Sequence, residues 1–250
     1  MTTTPENRPR SGPRIGVLVP YTNCNLEPDM QMLCPPGATV HFARMGGYDV
    51  DEIPGSDQMA GLGASDITEP LMLLSGVRPD VILYGCTSAT LTHGPSFDTD
   101  LSARIKSGSG AISLTAAGSL VAAIQALGAT RVGFASPYLG EINDQAMAFL
   151  ASQGIETVKC HDVGRALGNY GQGELTPDEV HALALQADHP DAQAIVLSCT
   201  DMRSVECITR IEDALGKPVV TSNQAMMFCL MRALTLPRHD SAPGRLFDML

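Results

Sequence analysis

The sequence predicts an α/β protein made of two similar parallel-sheet units. Two observations carry this prediction. Strand-like apolar runs alternate with helical patterns along the whole chain, and the same landmarks occur twice in the same order. Arg14-Ile-Gly-Val-Leu-Val-Pro20-Tyr21 is answered 117 positions later by Arg131-Val-Gly-Phe-Ala-Ser-Pro137-Tyr138. Cys86-Thr87 is answered by Cys199-Thr200 at an offset of 113, and the strand ending in Thr115 by the one ending in Thr221 at an offset of 106. At 250 residues the chain accommodates two units of about 100 to 120 residues each. The expected division is a flexible leader over 1–13, a first unit over 14–114 that takes back 222–250, and a second unit over 115–221.

Arg14 to Pro20 reads as a buried strand, followed by the polar loop Tyr21-Thr-Asn23-Cys-Asn25 and a helix from about Leu26. Ala38 to Arg44 is a second strand and 46–55 a loop. Ser56 to Ser75 is mostly helical, with Leu62, Ile67, Leu71 and Leu74 at apolar spacing and Pro70 expected to kink or split it. Val81 to Tyr84 delivers Cys86, a helix runs from Ser96 to about Lys106, Ile112 to Thr115 is a strand, and an Ala-rich helix runs from Ala116 to Leu127 with Gly128 as its stop. The second unit repeats the plan. Val132 to Ser136 is strand, Glu141 to Gln153 helix, Ile155 to Cys160 strand, and Val163 to Gly173 a Gly-rich loop across the cleft. Thr176-Pro-Asp-Glu179 caps a helix to about Ala187, Ala194 to Ser198 presents Cys199, and Ser204 to Leu215 is helix. Val219-Val220 is strand and Ser222 to Leu234 a final helix. A Pro-containing tail follows, whose Leu, Phe and Met are expected to pack on a partner subunit of a homodimer or higher homo-oligomer.

The composition narrows the function classes. A net charge of −11 gives nucleic acid or an anionic membrane nothing to bind. No apolar run reaches the roughly 18 to 20 residues of a spanning helix, and the first residues lack the apolar core of a secretory signal. Seven scattered cysteines without Cys-x-x-Cys spacing fit a reduced, cytoplasmic protein with no structural zinc and no metal at its site.

Two cysteines stand apart from the rest. Cys86 and Cys199 each follow a buried strand at matched positions of the repeat, where open α/β folds gather ligand groups. A single buried Cys is ordinarily a small hydrophobe; the matched pair argues for chemistry. Helix-end amides are expected to lower both thiol pKa values, so that one sulfur attacks or takes a proton while the other holds one. Asn23, Thr87, Ser88, Thr115, Thr200 and Thr221 offer neutral donors at strand ends for a small carboxylate, although an Asn at position 23 also suits a plain helix cap. His93, between Leu-Thr and Gly-Pro, reads as a loop residue.

The segments Ile15-Gly-Val-Leu-Val-Pro-Tyr-Thr-Asn23-Cys-Asn-Leu-Glu27, Gly85-Cys86-Thr-Ser88, Ala135-Ser-Pro-Tyr138, Leu197-Ser-Cys199 and Thr221-Ser-Asn-Gln224 together resemble the aspartate/glutamate racemase superfamily, and within it the maleate isomerase and arylmalonate decarboxylase branch. The resemblance covers roughly residues 14 to 236. It implies two Rossmann-like halves related by a pseudo-twofold, an active site between them, and no cofactor. It further implies that Cys86 adds to an alkene carbon of a small dicarboxylate, that Cys199 donates and accepts the proton, and that Asn23, Tyr138 and Asn169 contact the substrate carboxylates, with Thr87, Ser88 and Thr200 as further donors. Tyr21 stands where such isomerases carry Ser, and Cys199-Thr200-Asp201 looks more like the Cys-Thr-acid of aspartate racemases; both are possible auxiliaries, and Asp201 is alternatively the N-terminal charge of the next helix. Maleate cis–trans isomerisation is the expected activity. A two-thiol racemase or epimerase of aspartate, glutamate or a related acid is the alternative, followed by an arylmalonate decarboxylase-like enzyme or a non-catalytic binding protein. Decarboxylases of the branch lack the first-half cysteine, so Cys86 argues against that activity.

Overall fold

A computed structural model of the chain describes residues 12–46, 56–238 and 242–250. The predicted leader up to residue 11, and the loop over 47–55, lie outside the described residues. In the first half, β1 (Arg14–Pro20), α1 (Leu26–Leu33), β2 (Thr39–Met45), α2 (Ser56–Ala64), α3 (Thr68–Ser75), β3 (Val81–Tyr84), α4 (Thr87–Leu91), α5 (Pro95–Ser109) and β4 (Ile112–Thr115) follow in order. The second half contains α6 (Ala116–Ala126), β5 (Arg131–Ser136), α7 (Glu141–Ser152), β6 (Glu156–Asp162), α8 (Gly171–Glu174), α9 (Pro177–Gln186), β7 (Ala194–Leu197), α10 (Ile208–Leu215), β8 (Val219–Thr221) and α11 (Ser222–Leu234).

The duplication predicted from sequence is explicit in the sheets. One has the order β2-β1-β3-β4, the other β6-β5-β7-β8, and every pairing within them is parallel. In each sheet the direction of progression reverses beside the first strand. That leaves a crevice at the carboxyl ends of β1 and β3 in one half and of β5 and β7 in the other, which is where open α/β sheets bind ligands. β3 and β7 are buried along their whole length, as strands covered on both faces must be.

Side-chain alternation along the strands sorts the core. Val17, Val19, Val81 and Leu83 join a core that continues through α6 and α11 to Phe134 and Val196 of the second half. Leu18, Ile82 and Tyr84 point to the opposite face and pack with Leu71 of α3 and Ile105 of α5. The closing helix α11 packs chiefly on α6 and also against α1, β4 and β8, so it ties the halves together. Among the described residues no helix is long and apolar enough to cross a membrane.

Three expectations are corrected. The 56–75 segment does break, but at Ser65–Ile67 rather than at Pro70. Asp66 Oδ1 accepts from the Thr68 amide 2.9 Å away and starts a new helix, and Pro70 falls in its first turn, where a missing N–H costs nothing. The stretch Val163 to Gly173 is not all loop, because Gly171 begins the short α8. The tail does not hold its Leu and Phe out for a partner: Leu246 and Phe247 are buried in the chain's own core, leaving Met249 and Leu250 exposed.

Candidate active site

Four strand ends and the α8 segment build one cavity. β1 contributes Pro20 and, beyond it, Tyr21, Thr22 and Asn23; β3 leads to Cys86; β5 leads to Tyr138; and β7 leads to Cys199, Thr200 and Asp201. Asn169 and Gln172 line it from the Gly-rich segment and Leu62 from α2. The cavity measures about 40 Å³, room for roughly three waters at about 10 to 15 Å³ each. Among the described residues that line it, Asp201 is the one carboxylate and there is no Arg or Lys.

The two cysteines do meet in this space, and a chain of hydrogen bonds joins them. The Tyr138 hydroxyl lies 3.3 Å from the Cys199 sulfur and accepts from the Ser88 hydroxyl at 3.3 Å, while Ser88 Oγ is 3.7 Å from the Cys86 sulfur. Local sequence explains the placement. Gly85 lets β3 run close beside β1, since a Cβ there would lie 2.4 Å from Leu26 Cδ2 and 2.9 Å from the Leu18 carbonyl oxygen. Extended Cys86 then caps the five-residue α4, which turns Ser88 back beside the sulfur. In the other half, Ser136 Oγ accepts from the Tyr138 amide and bonds Asn143, fixing the turn that aims the phenol at Cys199.

The expectation of lowered thiol pKa values is overturned. Burial pushes the Cys86 thiol up despite the Ala89 and Ser88 amides and the Ser88 hydroxyl, which favour the thiolate. Burial, followed by the negative charge of Asp201, pushes Cys199 up to about 12 against the help of Tyr138 and the Asp201 amide. Burial, then the two sulfurs, also holds the Tyr138 phenol well above its usual range. Desolvation of a fully enclosed anion outweighs two or three hydrogen bonds, so all three groups rest neutral.

Asp201 neither grips the Cys199 sulfur with its carboxylate nor caps a following helix. Its Oδ1 accepts from the amides of Cys24 (2.8 Å) and Asn25 (3.1 Å), binding the two halves, while its own amide points to the Cys199 sulfur at 3.4 Å. Burial raises its pKa to about 6. Asn25 extends the seam, donating through Nδ2 to the Asp201 and Gly173 carbonyls. Gly173 has no room for a side chain, because a Cβ would sit 2.9 Å from Asp201 Oδ2 and 3.1 Å from Cys24 Sγ.

The remaining predicted residues divide. Asn23 lines the cavity and holds the start of α1: its Oδ1 accepts from Leu26 N at 2.9 Å and its Nδ2 donates to Thr200 Oγ1 at 3.1 Å. Tyr21 and Asn169 also face the cavity. Thr200 lines it, but its hydroxyl is committed to the Gly85 carbonyl at 2.9 Å. Thr87 turns away, donating to Ser222 of α11 at 2.8 Å, and is absent from the lining. Thr115 and Thr221 cap α6 and α11 and lie outside the site. His93 is the loop residue expected, stacked on Phe97 and bonded to the Ala60 carbonyl. Thr22, Gln172 and Leu62 were missed: Thr22 sits between two residues that were singled out, while Gln172 and Leu62 follow no strand.

Paired thiols enclosed between two matched parallel sheets define an α/β enzyme of the two-cysteine type. The chain belongs to the arylmalonate decarboxylase family, whose model matches residues 15–247. It is 29% identical over 245 residues to a maleate isomerase of Nocardia farcinica, covering 93% of this chain and 94% of that one, and 26% identical over 251 residues to a maleate isomerase of Geobacillus stearothermophilus, covering 94% and 97%. Among solved structures it resembles the Nocardia farcinica maleate cis–trans isomerase, in a Cys-to-Ser variant holding a covalently bound succinylcysteine intermediate, with a TM-score of 0.84 and 27% identity over 94% of this chain and 98% of that one.

Proposed function

We propose that the protein converts maleate to fumarate through a covalent adduct on Cys86, with Cys199 as the proton donor and acceptor. The observation that carries this reading is the hydrogen-bonded path Cys86–Ser88–Tyr138–Cys199 beside one cavity that both sulfurs line. The succinylcysteine held by the Nocardia relative supports it, and the presence of Cys86 argues against decarboxylation.

Rotation about the substrate's double bond requires that bond to become single. The Cys86 sulfur forms a bond to one alkene carbon while the other carbon takes the proton of the Cys199 thiol. The Cys86 proton passes through Ser88 and Tyr138 to the Cys199 sulfur, so no thiolate has to persist. This matters because ionising Cys199, at about 12, would cost about 7 kcal/mol at pH 7, taking five pKa units at about 1.4 kcal/mol each. After rotation Cys199 retakes a proton from carbon, the C–S bond breaks, fumarate leaves and the relay resets. Asn23, Asn169 and Gln172 offer amide N–H groups to the carboxylates.

Proton NMR of the purified protein incubated with maleate in deuterated water tests the reading, with aspartate, glutamate and substituted malonates as parallel samples, in which loss of the Cα–H signal reports racemisation. Accumulation of fumarate supports it; racemisation or decarboxylation of the other acids with maleate untouched contradicts it.

A further inference from the structure

Beneath the Cys199 turn lies a buried carboxyl that the reaction does not use. Asp29 of α1 is 2% exposed, and its Oδ2 accepts from Asn223 Nδ2 at 2.7 Å. Asn223, at the start of α11 and wholly buried, donates through the same nitrogen to the Thr200 carbonyl at 3.0 Å. Three elements thus meet on one amide: the helix after β1, the last helix, and the peptide that follows Cys199.

The amide orientation is fixed from one side only. Two acceptors, Asp29 Oδ2 and Thr200 O, face the nitrogen, while Asn223 Oδ1 has no partner among the described residues. A flip would turn that oxygen toward both acceptors. The Asp29 carboxylate opposes it by charge. Protonated, Asp29 gains an O–H that can donate to the amide oxygen, so the opposition weakens and the grip on Thr200 loosens.

We propose that Asp29 is a positioning residue for the Cys199 turn, holding the Thr200 carbonyl through the Asn223 side chain and doing so best when ionised. Burial raises its pKa to about 7, with Glu206 and Asp201 pushing further up and Asn223 and Arg203 pulling down. Cys207, whose thiol feels the Asp29 charge, is the remaining titratable neighbour among the described residues, and burial keeps it neutral with a pKa of about 12. The grip therefore tightens as pH rises through neutrality.

The side-chain amide resonances of Asn223 in uniformly 15N-labelled protein, assigned by their loss in Asn223→Ala, read the coupling without any substrate. The inference predicts an inflection near pH 7 in the wild type that vanishes in Asp29→Asn; flat shifts, or an inflection that survives in Asp29→Asn, overturn it. Turnover reads the consequence and rests on the isomerase reading. Asp29→Ala lowers kcat about tenfold or more with KM little changed, because a small displacement near the reacting groups is costly, and Asp29→Asn, which keeps an acceptor but lacks the charge that opposes the flip, recovers only part of that loss. An Asp29→Ala protein with wild-type kcat overturns the inference. A wild type inert toward maleate contradicts the isomerase reading alone, since the NMR arm still decides the coupling.

Discussion

The phenol of Tyr138 lies 3.3 Å from the Cys199 sulfur and, through Ser88, joins it to Cys86 in the other half of the fold. One hydroxyl therefore completes a hydrogen-bonded route between the thiols. Tyr138→Phe retains the ring and removes the route. The expected result is a fall in kcat on the order of 100-fold, comparable to losing one catalytic hydrogen-bond donor, with a smaller change in KM. Initial rates of fumarate formation measure it.

Neutral resting thiols make a second prediction. Because burial raises both, alkylation of the free enzyme by iodoacetamide climbs about tenfold per pH unit and continues to rise past the ordinary thiol pKa of about 8.5. Peptide mapping at several pH values resolves Cys86 from Cys199. A plateau near neutrality at either site contradicts the structure's account of their environment.

The Asp201 charge is the second cause, after burial, of the high Cys199 pKa. Asp201→Asn removes that charge and leaves an oxygen to accept from the Cys24 and Asn25 amides. Cys199 should then ionise at lower pH and alkylate faster at pH 8, by the same peptide mapping. If the carboxylate instead activated Cys199, the variant would react more slowly.

Stability should fall as pH rises through the acidic range. Asp29 has an ordinary value of 3.8 and sits at about 7 in the fold, so between those values the folded state binds the proton more tightly than the unfolded one. Stability from this group is intact below about pH 4, is lost progressively up to about pH 7, and changes no further above it; the full difference is about 4 kcal/mol. Urea unfolding at pH 5 and pH 8 checks the sign, and Asp29→Asn should flatten the trend. Equal pH dependence in the two proteins would show that Asp29 is not the group responsible.

The pattern of apolar runs made the fold and the two thiols legible, because a fully buried parallel strand has to read as an unbroken apolar stretch and its carboxyl end is where the topology opens a crevice. Cys86, Cys199, Asn23 and Tyr138 all follow such strands. Gln172 does not. It lies in a Gly-rich stretch whose shape is set by distant contacts, Asn25 to the Gly173 carbonyl and Gly173 against Asp201. Thr87 was misread because strand-end position does not reveal which way a side chain turns, and Ser222 claims it from 135 residues away. The thiol pKa values were misread for a related reason: helix-end amides are visible in sequence, whereas the degree of enclosure that outweighs them is a property of the assembled halves.

The account stands on the two sulfurs acting on one bound molecule, and trapping tests that most directly. Cys199→Ser protein is incubated with maleate, then analysed by intact-mass and peptide mass spectrometry. The predicted result is an added mass of one maleate located on Cys86, with fumarate formation slowed by orders of magnitude; a variant that carries no adduct and makes fumarate at the wild-type rate would contradict the claim.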